Sequence, residues 1–127
     1  MKKLYFVVGT IILLALAGAS FVQAGMPAAR LNDVHACPAS DPNPPFPNIP
    51  HVGGPILAPC SPNVFIQGHP AARQGDWAMC TGVGYPAFIV MGSPTVMING
   101  HPAARLNDPT SHGGLITSGS TSVFIGP

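Results

Sequence analysis

Charge is what this sequence has least of. Charged side chains make up 7% of the 127 residues, and glutamate is absent. Lys2 and Lys3 lie at the start, so beyond residue 25 only three Arg and four Asp remain. The formal net charge is +1. Such a chain has no basic surface for nucleic acid and no charge with which to bind a membrane electrostatically. Helix-permitting stretches are also missing. After residue 25 no segment escapes glycine or proline for more than about twelve residues, near the marginal length for a helix. Long helices are therefore excluded from the body. The 15 glycines and 16 prolines would suggest disorder in an aperiodic chain, but the hydrophobic fraction is 46% and the chain is periodic.

The period is a four-residue phrase that occurs three times: Pro27-Ala28-Ala29-Arg30, Pro70-Ala71-Ala72-Arg73 and Pro102-Ala103-Ala104-Arg105. An Asp follows each Arg by three residues: Asp33, Asp76 and Asp108. These Arg-x-x-Asp phrases take six of the seven charges of the body, so charge is placed once per structural unit. An exposed pair would contribute only about 0–1 kcal/mol. Its repetition predicts a geometric role instead, with each Arg donating to backbone carbonyls as well as to its Asp.

Three aligned eleven-residue segments run 56–66 (ILAPCSPNVFI), 88–98 (FIVMGSPTVMI) and 115–125 (LITSGSTSVFI). Each begins and ends on a β-prone triplet around a turn-rich centre, which predicts three β-hairpins. Val64 and Ile66 alternate to one face, as do Val96 with Ile98 and Val123 with Ile125. Phe65, Met97 and Phe124 point the other way, as an apolar ring that a neighbour or partner would cover. The phrase missing after the third segment is supplied at the start by residues 27–33, so the units are circularly offset. The expectation is an all-β domain of three pseudo-threefold hairpin units over residues 26–127, because one hairpin alone is marginal. The connection from Asp33 to Ile56 carries Pro38, Pro42, Pro44, Pro45, Pro47 and Pro50 and reads as an extended loop without regular structure.

Residues 1–25 differ in kind. Lys2 and Lys3 precede an apolar run from Leu4 to Ala19, and Val22-Gln23-Ala24 gives small residues at signal-peptidase spacing. Three readings stand: a cleaved secretory signal, an uncleaved membrane anchor, or a leader ahead of a true start at Met26.

Metal ligation is the chemistry that the remaining residues suggest. His51, Cys80 and His112 each precede a hairpin, so a threefold arrangement gathers them at one end. A fourth group would complete a tetrahedral zinc site. His35 is the nearest candidate, two residues past Asp33. Cys37 competes with it, since Cys37, Cys80 and His112 all lie four residues past a repeat Asp. Cys60 aligns with Gly92 and Gly119 and reads as a turn residue, although in an exported chain it could pair with Cys37 as a disulfide. His69 and His101 read as loop surface.

The three phrases, together with Gly-Ser-Pro-Thr-Val-Met-Ile-Asn-Gly (92–100) and Asp108-Pro-Thr-Ser-His112-Gly-Gly, closely resemble the PAAR-repeat family. The resemblance implies a small β cone with pseudo-threefold symmetry whose blunt base sits on the trimeric VgrG-type spike of a type VI secretion machine. It implies one structural zinc held by three His and one Cys, here His35, His51, Cys80 and His112. It also implies a mechanical role: one tip per trimer that sharpens the spike for puncture and aids effector delivery. Such a tip would be assembled in the cytoplasm and ejected with the spike. The expectation is that no C-terminal effector domain follows the last hairpin. The leader departs from the family and supports a second reading, an exported periplasmic or envelope metal-binding protein on the same fold. A zinc hydrolase is the third reading and the weakest. It would need an open water position and a nearby general base, and only Asp41 lies outside the repeat.

Overall fold

The computed structural model describes residues 25–82 and 85–127, so the leader reading lies outside the described residues apart from Gly25. The described chain is all-β, as expected, with strands of two to five residues and a single 3-10 turn at Ser111–Gly113. No helix among the described residues is long and apolar enough to cross a membrane.

Threefold repetition in the sequence becomes a closed ring in space. Ala29 N donates to Ala104 O at 2.9 Å, Ala104 N to Ala72 O at 3.0 Å, and Ala72 N to Ala29 O at 3.0 Å. One residue past each Arg the ring repeats: Leu31, Gln74 and Leu106 donate to Pro70, Pro102 and Pro27, each at 2.8 Å. Three backbones thus meet around one axis, and alanine is there because little more than a methyl fits where they converge. Ala28, Ala29, Ala71, Ala72, Ala103 and Ala104 are all fully buried.

Two apolar layers sandwich this ring. Ile56, Ile89 and Ile116 pack on Ala29, Ala72 and Ala104. Ile66, Ile98 and Ile125 pack on Ala28, Ala71 and Ala103, with Val64 and Val96 beside them. Phe65, Met97 and Phe124 face solvent as expected, but the inward valine holds only for Val64 and Val96, because Val123 is exposed.

Hairpin placement is a correction. The two triplets of each eleven-residue segment do not pair with each other. Phe65–Ile66 pairs with His69–Pro70, and Met97–Ile98 with His101–Pro102. The third closing strand, Phe124–Ile125, pairs with Met26–Pro27 and so joins the last unit to the first. The opening side pairs backwards. Trp77–Ala78 meets Ala87–Phe88, and a four-stranded sheet runs from Pro109–Thr110 through Gly114–Ile116 and Val34–Ala36 to Gly54–Pro55.

Turn chemistry explains this register. Gln67-Gly68 and Asn99-Gly100 have positive φ at both positions (50 and 81°, 54 and 79°), the two-residue turn that matches strand twist. The turn-rich centre of each segment instead folds onto a serine. Ser61, Ser93 and Ser120 are buried, and each Oγ accepts from the backbone two and three residues on.

The proline-rich connection is the second correction. Ser40–Asn43 and Phe46–Pro50 form an antiparallel ribbon with a register shift between Asp41 and Asn43. Proline is tolerated because a two-stranded ribbon has only edge strands, and Pro42 sits at the shift itself.

The Arg-x-x-Asp phrases fix each turn into the next unit. In every copy the Arg backbone N donates to its Asp Oδ2, at 2.8, 2.8 and 2.7 Å. The guanidinium then grips both carboxylate oxygens, with Nη2–Oδ1 at 3.1, 3.1 and 2.8 Å. The remaining donors reach across the molecule: Arg73 Nη2 to Cys60 O at 3.2 Å and Arg105 Nη1 to Gly126 O at 3.0 Å, whereas Arg30 departs from the expectation and its Nη1 donates to the Gln67 side-chain Oε1 at 2.8 Å. Residues before the Asp take positive φ, with Asn32 and Asn107 standing where Gly75 stands in the second unit.

Candidate metal centre

Beyond the Ile56–Ile89–Ile116 layer the chain gathers its sulfur and imidazole groups. The donor atoms of Cys37, His51, Cys80 and His112 all lie within 4.8 Å of one another. His51 Nδ1 is 3.2 Å from Cys80 Sγ and 3.6 Å from Cys37 Sγ, and Cys37 Sγ is 3.8 Å from His112 Nδ1. An ion with sulfur at about 2.3 Å and nitrogen at about 2.0 Å in tetrahedral array separates those donors by about 3.5 Å. The donor set therefore fits one four-coordinate cation that favours thiolate and imidazole. Cys37, His51 and Cys80 are buried and His112 is half-buried, with Tyr85 packed edge-on against its ring.

The structure brings together three of the four residues expected from the sequence, His51, Cys80 and His112. It puts Cys37, not His35, with them. Symmetry gives the reason. Cys37, Cys80 and His112 each follow a repeat Asp by four residues, so the threefold ring delivers all three to one point. His35 follows Asp33 by two and shares its level with Ala78 and Thr110. Its ring is fully engaged there: Nδ1 is 3.0 Å from Thr110 Oγ1, and Nε2 is 2.7 Å from Met79 O. With both nitrogens committed and 2% of its surface exposed, His35 ties the three units together beneath the cluster.

His51 is the cluster residue that the repeat does not supply. It directly follows the proline-rich ribbon, and its backbone N donates to Ala39 O at 2.8 Å. Two consequences were missing from the sequence reading. The ribbon is a short tether between two residues of the cluster, Cys37 on one side and His51 on the other. It also carries Asp41, whose Oδ2 lies 3.1 Å from His51 Nε2. This contact is off the N–H line, and the buried Nε2 has no better partner.

The electrostatics follow. The pKa of His51 is raised, first by Asp41 and then by Cys37. Burial opposes ionisation of Cys37, but the Ala39 backbone, Cys80 and His51 together bring its pKa below the usual thiol value. Burial and the adjacent Cys37 push that of Cys80 up. The two thiols of the pair are thus shifted in opposite directions.

Cys60 stands apart. It belongs to the core layer around Ile56, and burial pushes its pKa up to about 12. Cys37, Cys60 and Cys80 are all free thiols, so the Cys37–Cys60 disulfide is not formed, because the two lie in different layers. Phe65, Met97 and Phe124 sit at the other end, 58, 57 and 55% exposed and paired with Pro70, Pro102 and Pro27. His69 and His101 are exposed beside them.

A family model described as the PAAR motif matches residues 47–118. No curated protein matches the chain.

Proposed function

Because the chain belongs to the PAAR-motif family, we propose that it is the tip of a contractile injection spike of the type VI secretion kind, capping a VgrG-type trimer. The observation that carries this reading is the ring closed by Ala29, Ala72 and Ala104, which turns one chain into a threefold object. Phe65, Met97 and Phe124 are equivalent around that axis, exposed, and at the end away from the metal cluster. A flat trimer end repeats the same surface three times, so a partner with matching symmetry docks without leaving any unit frustrated.

The cluster at the opposite end is read as a structural zinc site. Cys37, His51, Cys80 and His112 would hold the ion, and its chemistry there is to cross-link three units at the narrow end. Four protein donors leave no position for a water, which supports a mechanical rather than a catalytic protein. The tip would assemble on its spike in the cytoplasm and leave with it, alone or with effectors.

A pull-down against a trimeric VgrG-type spike tests the reading. Polar substitution of Phe65, Met97 and Phe124 together is expected to weaken capture at least tenfold. Trp77→Ser, on the flank, is expected to leave it unchanged. Full capture by the triple variant would move the interface elsewhere. The apolar run Leu4–Ala19 favours a second reading, a protein exported to the periplasm or envelope that uses the same zinc-stabilised fold. Mature protein in periplasm from cells lacking any contractile apparatus would favour it.

A further inference from the structure

Asp41 is the only carboxylate of the body that the repeat does not use, and the ribbon that carries it is the largest break in the threefold pattern. Both features converge on one ligand. Ser40 pairs with Pro50 and Asp41 with Ile49, so the ribbon turns the chain back immediately before His51. Asp41 Oδ2 then lies 3.1 Å from Nε2, on the side of the ring opposite the cluster, off the N–H line but nearest to a buried nitrogen that has no other partner among the described residues. Nδ1 faces Cys80 Sγ at 3.2 Å and Cys37 Sγ at 3.6 Å. An imidazole that coordinates through one nitrogen needs its other N–H held by an acceptor, which fixes both tautomer and ring orientation.

We propose that Asp41 is a positioning residue for the metal centre and that the Ser40–Pro50 ribbon exists to bring it there. It holds His51 with the proton on Nε2, so that Nδ1 presents its lone pair to the ion. The ribbon acts as a clamp. It spans two ligands, Cys37 and His51, and carries the carboxylate that orients the second. His112 has no carboxylate among its described neighbours and leans on Tyr85 and the ring of His51 instead, with ring centroids 5.6 and 5.1 Å away. The inference rests on the metal-site reading above and adds a residue that the repeat does not predict.

The test compares the full chain with Asp41→Ala and Asp41→Asn. Zinc affinity is measured by competition with a chromophoric chelator, and the ring state of His51 by two-bond nitrogen–proton NMR of the zinc-loaded protein. Asp41→Ala is expected to weaken zinc binding about 10–100-fold and to lose the slowly exchanging Nε2 proton. Asp41→Asn keeps an acceptor oxygen and is expected to retain that proton with a smaller loss, under about tenfold. The asparagine variant also decides the matter if the alanine variant fails to fold. Wild-type affinity in Asp41→Ala, with the Nε2 proton still protected, would overturn the inference and leave the metal site standing. A wild-type chain that takes up no zinc would overturn both.

Discussion

Two residues separated by one position do different work, and the difference is measurable. Cys37 points into the cluster, while His35 is spent on Thr110 Oγ1 and Met79 O. Cys37→Ser is expected to abolish stoichiometric zinc. His35→Ala is expected to keep the zinc and lose about 1–3 kcal/mol of stability, because buried polar groups lose their partner. Metal content by plasma mass spectrometry, read beside urea melts, distinguishes the two, and the reverse pattern would restore His35 as the ligand. The pH response of His51 is a second consequence at this scale. Its pKa is raised above 6.5 by Asp41. In the metal-free protein that gain is complete below the unfolded value and vanishes as pH rises through the raised one. Asp41→Asn should therefore destabilise the chelator-treated protein more at about pH 5.5 than at about pH 8, as thermal melts would record. An equal effect at both would mean that Asp41 does not act through the ring.

Short strands are held by turns here more than by ladders. This makes glycine positions informative, because the same change costs differently for different reasons. Gly100 has a φ of +79° and open space around its missing Cβ, so Gly100→Ala adds only backbone strain, about 1 kcal/mol. Gly114 is the opposite case: a Cβ there would come within 2.7 Å of Thr110 Oγ1 and closer still to Ala36 O. Gly114→Ala must part the strands that join the third unit to the first, and more than about 3 kcal/mol is expected in denaturant titrations. Similar costs for the two variants would contradict the close packing of that sheet. The same scale explains what could be read from sequence. Strand content, the alternation at Ile66, Ile98 and Ile125, and the threefold count follow from local pattern. Pairing partners do not, because a triplet such as Phe88-Ile89-Val90 is equally suited to a neighbour ahead or behind. The deciding feature was the positive-φ turn at Gln67-Gly68 and Asn99-Gly100, which fixes register more firmly than a long proline-rich stretch. The ribbon at Ser40–Pro50 was hidden for a related reason: proline counts against strand, and only a free edge on each side makes it permissible. Three residues of the cluster, His51, Cys80 and His112, were legible from their position before each segment. Cys37 was legible from its offset alone, and Asp41 stood out only as the one Asp outside the repeat, since its place beside His51 depends on a bend in the ribbon.

The whole molecule is a ring of three whose seam lies between its first and last described strands. Met26 pairs with Ile125 and Pro27 with Phe124, while Leu106 N donates to Pro27 O. The other two junctions close over a two-residue turn, but this one closes over nearly the whole sequence. Closing it costs more chain entropy than closing a two-residue turn. Without the last segment Ala28 loses Val123 O and Ser120 N as hydrogen-bond partners and Ile125 as cover, whereas Ala29 keeps Ala72 and Ala104. The final strand acts as a latch. Without Phe124 and Ile125 the threefold set of exposed apolar positions that includes Phe65 and Met97 is incomplete. A variant lacking Phe124 and Ile125 is therefore expected to leave Met26 and Pro27 unpaired and to lose one of the three equivalent exposed apolar positions.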